Sequence, residues 1–200
     1  IGYLLFFLIG SFMLFTSDKI TLQLNTNALH TIFLDATMPY ITWMGDGLFA
    51  ILVAVVILLF FHRRLGSLLL IGYAGSALLA QGAKRLLFPE AMRPYFFLKY
   101  HPSFHKIPHF LYYEFHSFPS GHTTTAFAMA TVLAWHCSPS WKQWALLMLA
   151  CLVGFSRTYL SQHFLVDVLA GSMLGVCCGL MLVVFWPQHW LSKQTPLVRL

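Results

Sequence analysis

The stretch from Phe164 to Trp186, FLVDVLAGSMLGVCCGLMLVVFW, decides the fold class of this chain. Its single charged residue is Asp167, and the run is long enough to cross a bilayer, which takes about 20 apolar residues in an α-helix. The lipid interior offers no partner to backbone N–H and C=O groups, so a spanning segment of this kind has to be helical. We therefore predict a transmembrane helix here.

Apolar runs of similar character recur along the whole chain. Hydrophobic residues make up 58% of it and charged residues only 9%, and the mean hydropathy is +0.73, whereas soluble proteins are about one quarter charged. We predict an all-α, polytopic membrane protein with one domain over residues 1–200, in which six transmembrane helices form a single bundle. The predicted spans are residues 1–16, 47–61, 66–87, 119–136, 141–159 and 164–186.

Three segments outside the central spans have a distinct composition. The first run, Ile1 to Phe15, starts without a methionine or a basic flank but lacks a small-residue cleavage site, and we interpret it as a retained helix rather than a signal peptide. Residues 17–46 mix polar and apolar side chains, which predicts an amphipathic helix or loop at the interface. Residues 88–118 carry four prolines and many aromatic residues, which is typical of a lid at the level of the lipid headgroups.

Charge indicates the partners and the orientation. The formal net charge is +6, but Lys and Arg never form a run longer than two, so no nucleic acid partner is predicted. With three cations set aside for the chemical roles described below, five Lys and Arg remain at one end of the bundle and four at the other. The end with five includes Arg63, Arg64, Lys142, Lys193 and Arg199 and is predicted to be cytoplasmic. The opposite end of the bundle, which carries the three cations set aside, would then face the periplasm or exterior from the cell inner membrane.

Small residues recur every four positions on two spans, a pattern that allows helix backbones to approach closely in lipid. The two stripes are Gly72, Ser76 and Ala80 on the third span and Gly171, Gly175 and Gly179 on the sixth. We favour packing within the chain, with a homo-oligomer as the alternative. Four cysteines in or beside apolar runs lack metal-ligand spacing and are interpreted as packing residues.

His163 and Asp167 are the first candidate catalytic pair. They are four residues apart, so on a helix they share a face, and the carboxylate can accept a hydrogen bond from one imidazole nitrogen while the other attacks. By itself this spacing is more typical of a buried structural hydrogen bond. The two motifs described next favour the functional interpretation.

Pro119, Ser120, Gly121 and His122 stand at the head of an apolar run. Ser120 is a candidate helix cap, and the free N–H groups of a helix N-terminus bind anions. Gly121 leaves space for an oxyanion, and His122 is placed to donate a proton to a leaving oxygen. A capped helix with an incidental histidine is the structural alternative.

Lys84, Arg93 and Arg157 are predicted to lie at the same end of the bundle as these histidines. Phosphoryl transfer spreads negative charge over three oxygens, and fixed cations with backbone N–H groups stabilise it. A single Lys or Arg at a helix end is more often an interfacial anchor. Three cations beside two histidines instead indicate a phosphate site.

These segments resemble the three signature motifs of the type 2 phosphatidic acid phosphatase superfamily. That pattern is Lys followed by Arg-Pro, then Pro-Ser-Gly-His, then Ser-Arg, five residues, His, three residues and Asp. The second and third motifs match without a gap at Phe118 to His122 and Ser156 to Asp167. The first motif departs, since eight residues rather than the usual six separate Lys84 from Arg93, and Arg85 is the alternative to Lys84.

The resemblance implies a role for each matched residue. His163 would form a phosphohistidine, Asp167 would orient it, and His122 would protonate the leaving lipid oxygen and later act as a base toward water. The phosphate would be held by Lys84, Arg93, Arg157, Ser120 and Gly121. The resemblance implies neither a metal nor another cofactor.

Four further histidines, His101, His105, His109 and His116, have a spacing that is reminiscent of metal ligands. Pro102 and Pro108 interrupt the helix that would align the first three. We therefore favour a headgroup-binding or pH-sensitive loop over a metal site, with plain surface histidines as a further possibility.

The predicted function is hydrolysis of a lipid phosphomonoester or diphosphate at the outer membrane face. Candidate substrates are undecaprenyl diphosphate, a lipid A phosphate, phosphatidylglycerol phosphate and phosphatidic acid, and the sequence does not choose among them. A lipid phosphotransferase of the same family is the alternative. A non-enzymatic transporter also explains buried charges, but it does not require these motifs.

Overall fold

The computed structural model describes residues 1–138 and 140–186, and within these ranges it contains helices and no strand. Two π-helical turns, Ile57–Phe61 and Ala83–Leu87, extend the fourth and fifth helices. The helices are α1 (Gly2–Thr16), α2 (Lys19–Asn27), α3 (Ile32–Trp43), α4 (Gly47–Val56), α5 (Arg63–Gly82), α6 (Pro94–Leu98), α7 (Gly121–His136), α8 (Ser140–Tyr159) and α9 (Leu165–Phe185). The prediction of an all-α fold is confirmed.

Helices occupy all six predicted spans, but their lengths do not all suit a crossing. By length and apolar composition, Arg63–Leu87 and Leu165–Phe185 are candidate membrane spans. Two bent pairs qualify when each is taken as one span, α1 with α2 and α3 with the helix Gly47–Phe61, which brings the number to four. The total of six spans therefore remains a prediction.

The segment predicted to lie at the interface forms two helices, each started by a side-chain cap. Asp18 accepts hydrogen bonds from the first turn of α2, and the Thr31 hydroxyl caps α3. Between α1 and α2 the chain bends by 111°, and between α3 and α4 by 58°. Gln23 and Asn27 of α2 are buried, so this helix packs on the protein rather than only on lipid.

Helix α7 is central to the bundle because it packs against α5, α8 and α9. The contact with α9 depends on the glycine stripe. A Cβ atom at Gly171 would lie 2.5 Å from the carbonyl oxygen of Ser120, and one at Gly175 would clash with the carbonyl oxygen of Thr124. The sixth-span stripe therefore packs within the chain, which is the arrangement we favoured. It brings Asp167, one turn before Gly171, beside the start of α7.

Substituting Gly175 tests this packing. We expect Gly175→Ala to destabilise the bundle by about 1–3 kcal/mol, since the new methyl group meets the backbone of α7. The matched control is Gly75→Ala, where an added Cβ meets nothing within 4 Å and helix propensity improves by about 1 kcal/mol. Unfolding midpoints in detergent measure both changes, and equal midpoints would contradict the contact.

Candidate active site

The predicted site residues come together at one end of the bundle although they lie in six separate helices, turns or loops. Lys84 lies on the π-turn after α5, Arg93 in the loop before α6, Ser120 at the start of α7 and Arg157 in the last turn of α8. Among the site residues, Lys84, Ser120, Arg157, His163 and Asp167 each have at most 8% of their surface exposed. Burying so many ionisable groups is costly, which makes this place a candidate functional site.

His163 lies in the turn between α8 and α9 rather than on a helix. The backbone N–H of His163 donates to the carbonyl oxygen of Arg157 at 3.2 Å, and Ser161 in the same turn has a positive φ of 52°. The expectation that His163 and Asp167 share a helical face is therefore wrong. They approach because Asp167, in the first turn of α9, folds back to accept a hydrogen bond from the N–H of Phe164 at 3.0 Å.

The Asp167 carboxylate lies close to His163 but takes its hydrogen bonds from other groups. Its Oδ2 is 3.5 Å from Nδ1 of His163 and accepts from the Ser117 hydroxyl at 2.5 Å. The backbone oxygen of Asp167 accepts from the N–H of Ser120 at 3.0 Å. Asp167 thus fixes the starts of both α7 and α9. In residues 1–138 and 140–186, the buried Nδ1 of His163 has no hydrogen-bond partner.

The surroundings keep His163 neutral. Complete burial is the main effect, and the positive charges of Arg157, Arg93 and Lys84 add to it, so the pKa of His163 is well below its ordinary value. A neutral imidazole keeps the lone pair that a nucleophile needs.

The start of α7 has the form of an anion site. The Ser120 hydroxyl caps the helix through the N–H of Thr123 at 3.5 Å and contacts the Thr123 hydroxyl at 2.8 Å. A Cβ at Gly121 would meet no atom within 4 Å, so the space beside the first turn is open. N–H groups at an open helix N-terminus attract an oxyanion.

Arg157 is anchored on one side and unpartnered on another. Its Nη1 donates to the hydroxyl of Thr42 in α3 at 2.7 Å, whereas its buried Nε has no partner in the part of the chain that the structure describes. A buried guanidinium with an unused donor is suited to an anionic ligand.

Arg93 is held by the loop and by the turn before α9. Nε donates to the carbonyl oxygen of Phe115 at 2.8 Å and Nη1 to Oε1 of Gln162 at 2.7 Å. Gln162 in turn donates to the carbonyl oxygen of Leu111 at 3.1 Å. The lid and the turn that carries His163 are therefore joined through one cation.

The structure separates Lys84 from Arg85. Lys84 is 8% exposed and continues the face of Ser76 and Ala80, whereas Arg85 is exposed. The positive charge of Lys84 acts on both His163 and Asp167. Of the two residues, Lys84 lies with the site.

Neutralising each of these cations tests that assignment. We expect Lys84→Met to lower kcat/KM for phosphate release about 100-fold, because a fixed charge beside the phosphate is lost. Arg85→Met, the adjacent control of identical chemistry, should stay within about threefold of the wild type. A larger loss in Arg85→Met than in Lys84→Met would reverse the assignment.

Sequence reasoning missed several residues that contact the site. Gln162 is inside the third motif and Ser117 directly precedes the second, so their polarity at buried positions was the available signal. Thr42 and Asp46 are in the segment predicted to lie at the interface, and Asp46 Oδ2 is 3.8 Å from Nε2 of His122. Nothing local indicated that this segment reaches the site.

The lid is attached through His105. Its ring Nε2 lies 2.8 Å from Oδ2 of Asp35, whose other oxygen accepts from the Tyr159 hydroxyl at 2.5 Å. Asn27 also bonds the backbone of His105 at both N–H and carbonyl oxygen, and the His105 ring stacks on His30. This histidine therefore anchors the loop to α2, α3 and α8. Over the described ranges no three His, Cys, Asp or Glu side chains are grouped as metal ligands.

Comparison with known proteins agrees with this arrangement. Residues 65–191 match the model of the PAP2 superfamily. Phosphatidylglycerophosphatase B of Bacillus subtilis is 32% identical over 157 residues, which are 72% of this chain and 71% of that protein. Lipid A 1-phosphatase of Porphyromonas gingivalis is 40% identical over 65 residues, which cover 32% of this chain but only 15% of that protein.

A solved structure has the same fold. The transmembrane PAP2 type phosphatidylglycerolphosphate phosphatase of Bacillus subtilis superposes with a TM-score of 0.70 at 25% identity, covering 96% of this chain and 97% of that one. The apolar helices and these relatives identify a membrane protein. The resemblance drawn from the motifs is confirmed, and the expectation of a phosphatase agrees with the names of the relatives.

Proposed function

The chain belongs to the PAP2 superfamily, and from this membership we propose that it is an integral membrane phosphatase that removes phosphate from a lipid through a phosphohistidine at His163. The observation that carries the proposal is the arrangement around His163. A neutral, buried imidazole lies beside Asp167, with Lys84, Arg93 and Arg157 acting on it electrostatically.

The reaction has two steps. His163 attacks phosphorus, the bond to the lipid oxygen breaks, and His122 gives that oxygen a proton. Water then attacks the phosphohistidine, His122 takes a proton from the water, and inorganic phosphate leaves. In both steps the three cations and the open start of α7 stabilise the charge on the phosphoryl oxygens.

A membrane lipid is favoured over a soluble phosphate ester by a groove between α4, α7 and α8. Its volume is about 220 Å³ and its lining is almost entirely apolar, with Met44, Ala126 and Val153 among its residues. Ala126 is one helical turn below His122. A hydrocarbon chain in this groove would place its headgroup at the site while the lipid stays in the bilayer.

We propose that the site faces the exterior or periplasm from the inner membrane. Arg63 and Arg64 begin α5 at the end remote from Lys84, in agreement with a basic cytoplasmic end. Lys193 and Arg199, which are also predicted to lie at the cytoplasmic end, are outside the described residues.

The candidate substrates are lipid phosphates of the kinds that the relatives' names describe, phosphatidylglycerophosphate and lipid A 1-phosphate. Undecaprenyl diphosphate is a further candidate from the sequence. Phosphatidic acid completes the set. Each offers a terminal phosphoryl group on a membrane-anchored alcohol or phosphate, which is the chemistry that this site would bind.

Phosphate release by the purified protein in detergent tests the proposal against this panel of four lipids. In water enriched in ¹⁸O, we expect one labelled oxygen in each phosphate released, because water attacks phosphorus in the second step. Transfer of the phosphoryl group to an added alcohol in preference to water would instead identify a phosphotransferase. Movement of a lipid across proteoliposomes without cleavage would replace the proposal with a transporter.

A further inference from the structure

The end of α3 and the turn that follows it contact two side chains of the site. Thr42 accepts a hydrogen bond from Arg157 at 2.7 Å. Gly45 packs so closely that a Cβ there would lie 2.7 Å from the carbonyl oxygen of His122 and 3.0 Å from its Cβ. Asp46 follows, with Oδ2 at 3.8 Å from Nε2 of His122. The turn is thus packed directly against the proposed proton donor.

His122 has to carry a proton before the first step, and most of the charged groups around its ring are cations. Lys84 after α5, Arg93 in the lid and Arg157 on α8 all act on its ring with positive charge, and His163 is also close. The Asp167 carboxylate already accepts hydrogen bonds from Ser117 and Phe164. Within the ranges that the structure describes, Asp46 is the carboxylate that comes within 4 Å of the His122 ring.

We propose that Asp46 is a positioning residue for His122. Its carboxylate orients the ring through Nε2 and stabilises the protonated form against the surrounding cations, which leaves the other ring nitrogen for exchange of a proton with substrate and water. This inference rests on the proposed function, since it concerns the same two-step reaction.

Asp46 neither gives nor takes a proton in the two steps of the reaction. In the first step, a bond forms between phosphorus and His163, the bond to the lipid oxygen breaks, and the proton of His122 moves to that oxygen. In the second step, water bonds to phosphorus, the bond to His163 breaks, and His122 regains a proton from the water. Asp46 takes part in neither proton transfer, and its carboxylate stabilises the charged ring before the first step and after the second.

The carboxylate of Asp46 is itself held in place. Its Oδ1 accepts from the N–H of Leu48 at 2.8 Å and caps α4, while Oδ2 points toward His122. At 3.8 Å the pair is a charge contact rather than a hydrogen bond, and catalytic contacts of this kind often shorten when substrate binds. The side chains are 43% exposed for Asp46 and 32% for His122, so water for the second step can reach them.

The matched variants are Asp46→Asn and Asp18→Asn. Asparagine caps a helix about as well as aspartate, so α4 keeps its start in the first variant and α2 in the second. Asp18 caps α2 through Ile20 and Thr21 in the same manner. Comparing the two variants therefore separates the effect of losing a charge at a helix cap from the effect of losing the contact with His122.

For Asp46→Asn we expect kcat/KM on a lipid phosphate to fall about 10- to 100-fold, a part of what general acid catalysis supplies. On p-nitrophenyl phosphate, whose leaving group needs little protonation, the fall should stay under about threefold. The alkaline limit of the lipid reaction should move to lower pH, and Asp18→Asn should match the wild type in all three measurements. Unchanged rates, or equal losses on both substrates with an unmoved pH limit, would overturn the proposal.

Titration of the His122 ring by NMR, assigned with His122→Gln, is independent of turnover. Its midpoint should fall to lower pH in Asp46→Asn and stay in place in Asp18→Asn, and an unmoved midpoint in Asp46→Asn would overturn the role of Asp46. If the wild-type protein cleaves neither the lipids nor the aryl phosphate, the proposed function fails, and this titration still decides whether Asp46 supports the protonated ring.

Discussion

Replacing His163 with alanine should abolish phosphate release, with kcat falling at least about 10⁴-fold, because the variant has no nucleophile to form the phosphoenzyme. The fold should survive, since His163 lies in a turn and its ring nitrogen Nδ1 has no partner in residues 1–138 and 140–186. Release of inorganic phosphate from each lipid of the panel measures the change. Activity within about tenfold of the wild type would exclude His163 as nucleophile.

His136→Ala is the control for this substitution. His136 ends α7 at the opposite end from His122, and its ring contacts only the carbonyl oxygen of Val132 among the polar contacts described for it. Full activity is expected for His136→Ala.

With p-nitrophenyl phosphate, His122→Gln should accumulate an acid-labile phosphoprotein, because the first step proceeds while activation of water is impaired. No label should appear when His163→Ala is added.

Replacing Arg157 with methionine should lower kcat/KM about 1000-fold and at the same time stabilise the free protein. The loss of activity follows from removal of a fixed charge that would hold the phosphoryl oxygens. The gain in stability follows because Arg157 is buried, has an unpartnered Nε in the described structure and lies near the cation of Arg93. A well-packed apolar side chain removes that desolvation cost.

Thermal unfolding without orthovanadate measures the stability of the free protein, and unfolding with orthovanadate measures anion binding. Vanadate should raise the midpoint of the wild type, since a ligand that binds only the folded state stabilises it, and the rise should be absent in Arg157→Met. Arg64→Met is the control, because Arg64 lies in the first turn of α5, remote from Lys84. A vanadate response in Arg157→Met equal to that of the wild type would remove Arg157 from the phosphate site.

The helices and the motif residues were predictable because their signals are local. Apolar runs near the length of a bilayer and the cap at Ser120 act within one helix, and α7 begins directly after that cap. Close packing of α9 within the chain was indicated by the glycine stripe, whereas its partner α7 came from the structure. The shared helical face of His163 and Asp167 was wrong because four-residue spacing assumes a continuous helix, whereas α8 ends at Tyr159 and α9 begins at Leu165.

The sequence by itself determined that this is a membrane protein of helices, since composition carries that information, and its motifs resemble those of a phosphatase family. Only the tertiary structure decided that Lys84 rather than Arg85 lies with the site, and that Ser117 holds Asp167. It also brought Thr42 to Arg157 across 115 positions and Asp46 to His122. Contacts between distant segments depend on how helices pack and where the chain bends, and neither leaves a local pattern in the residues concerned.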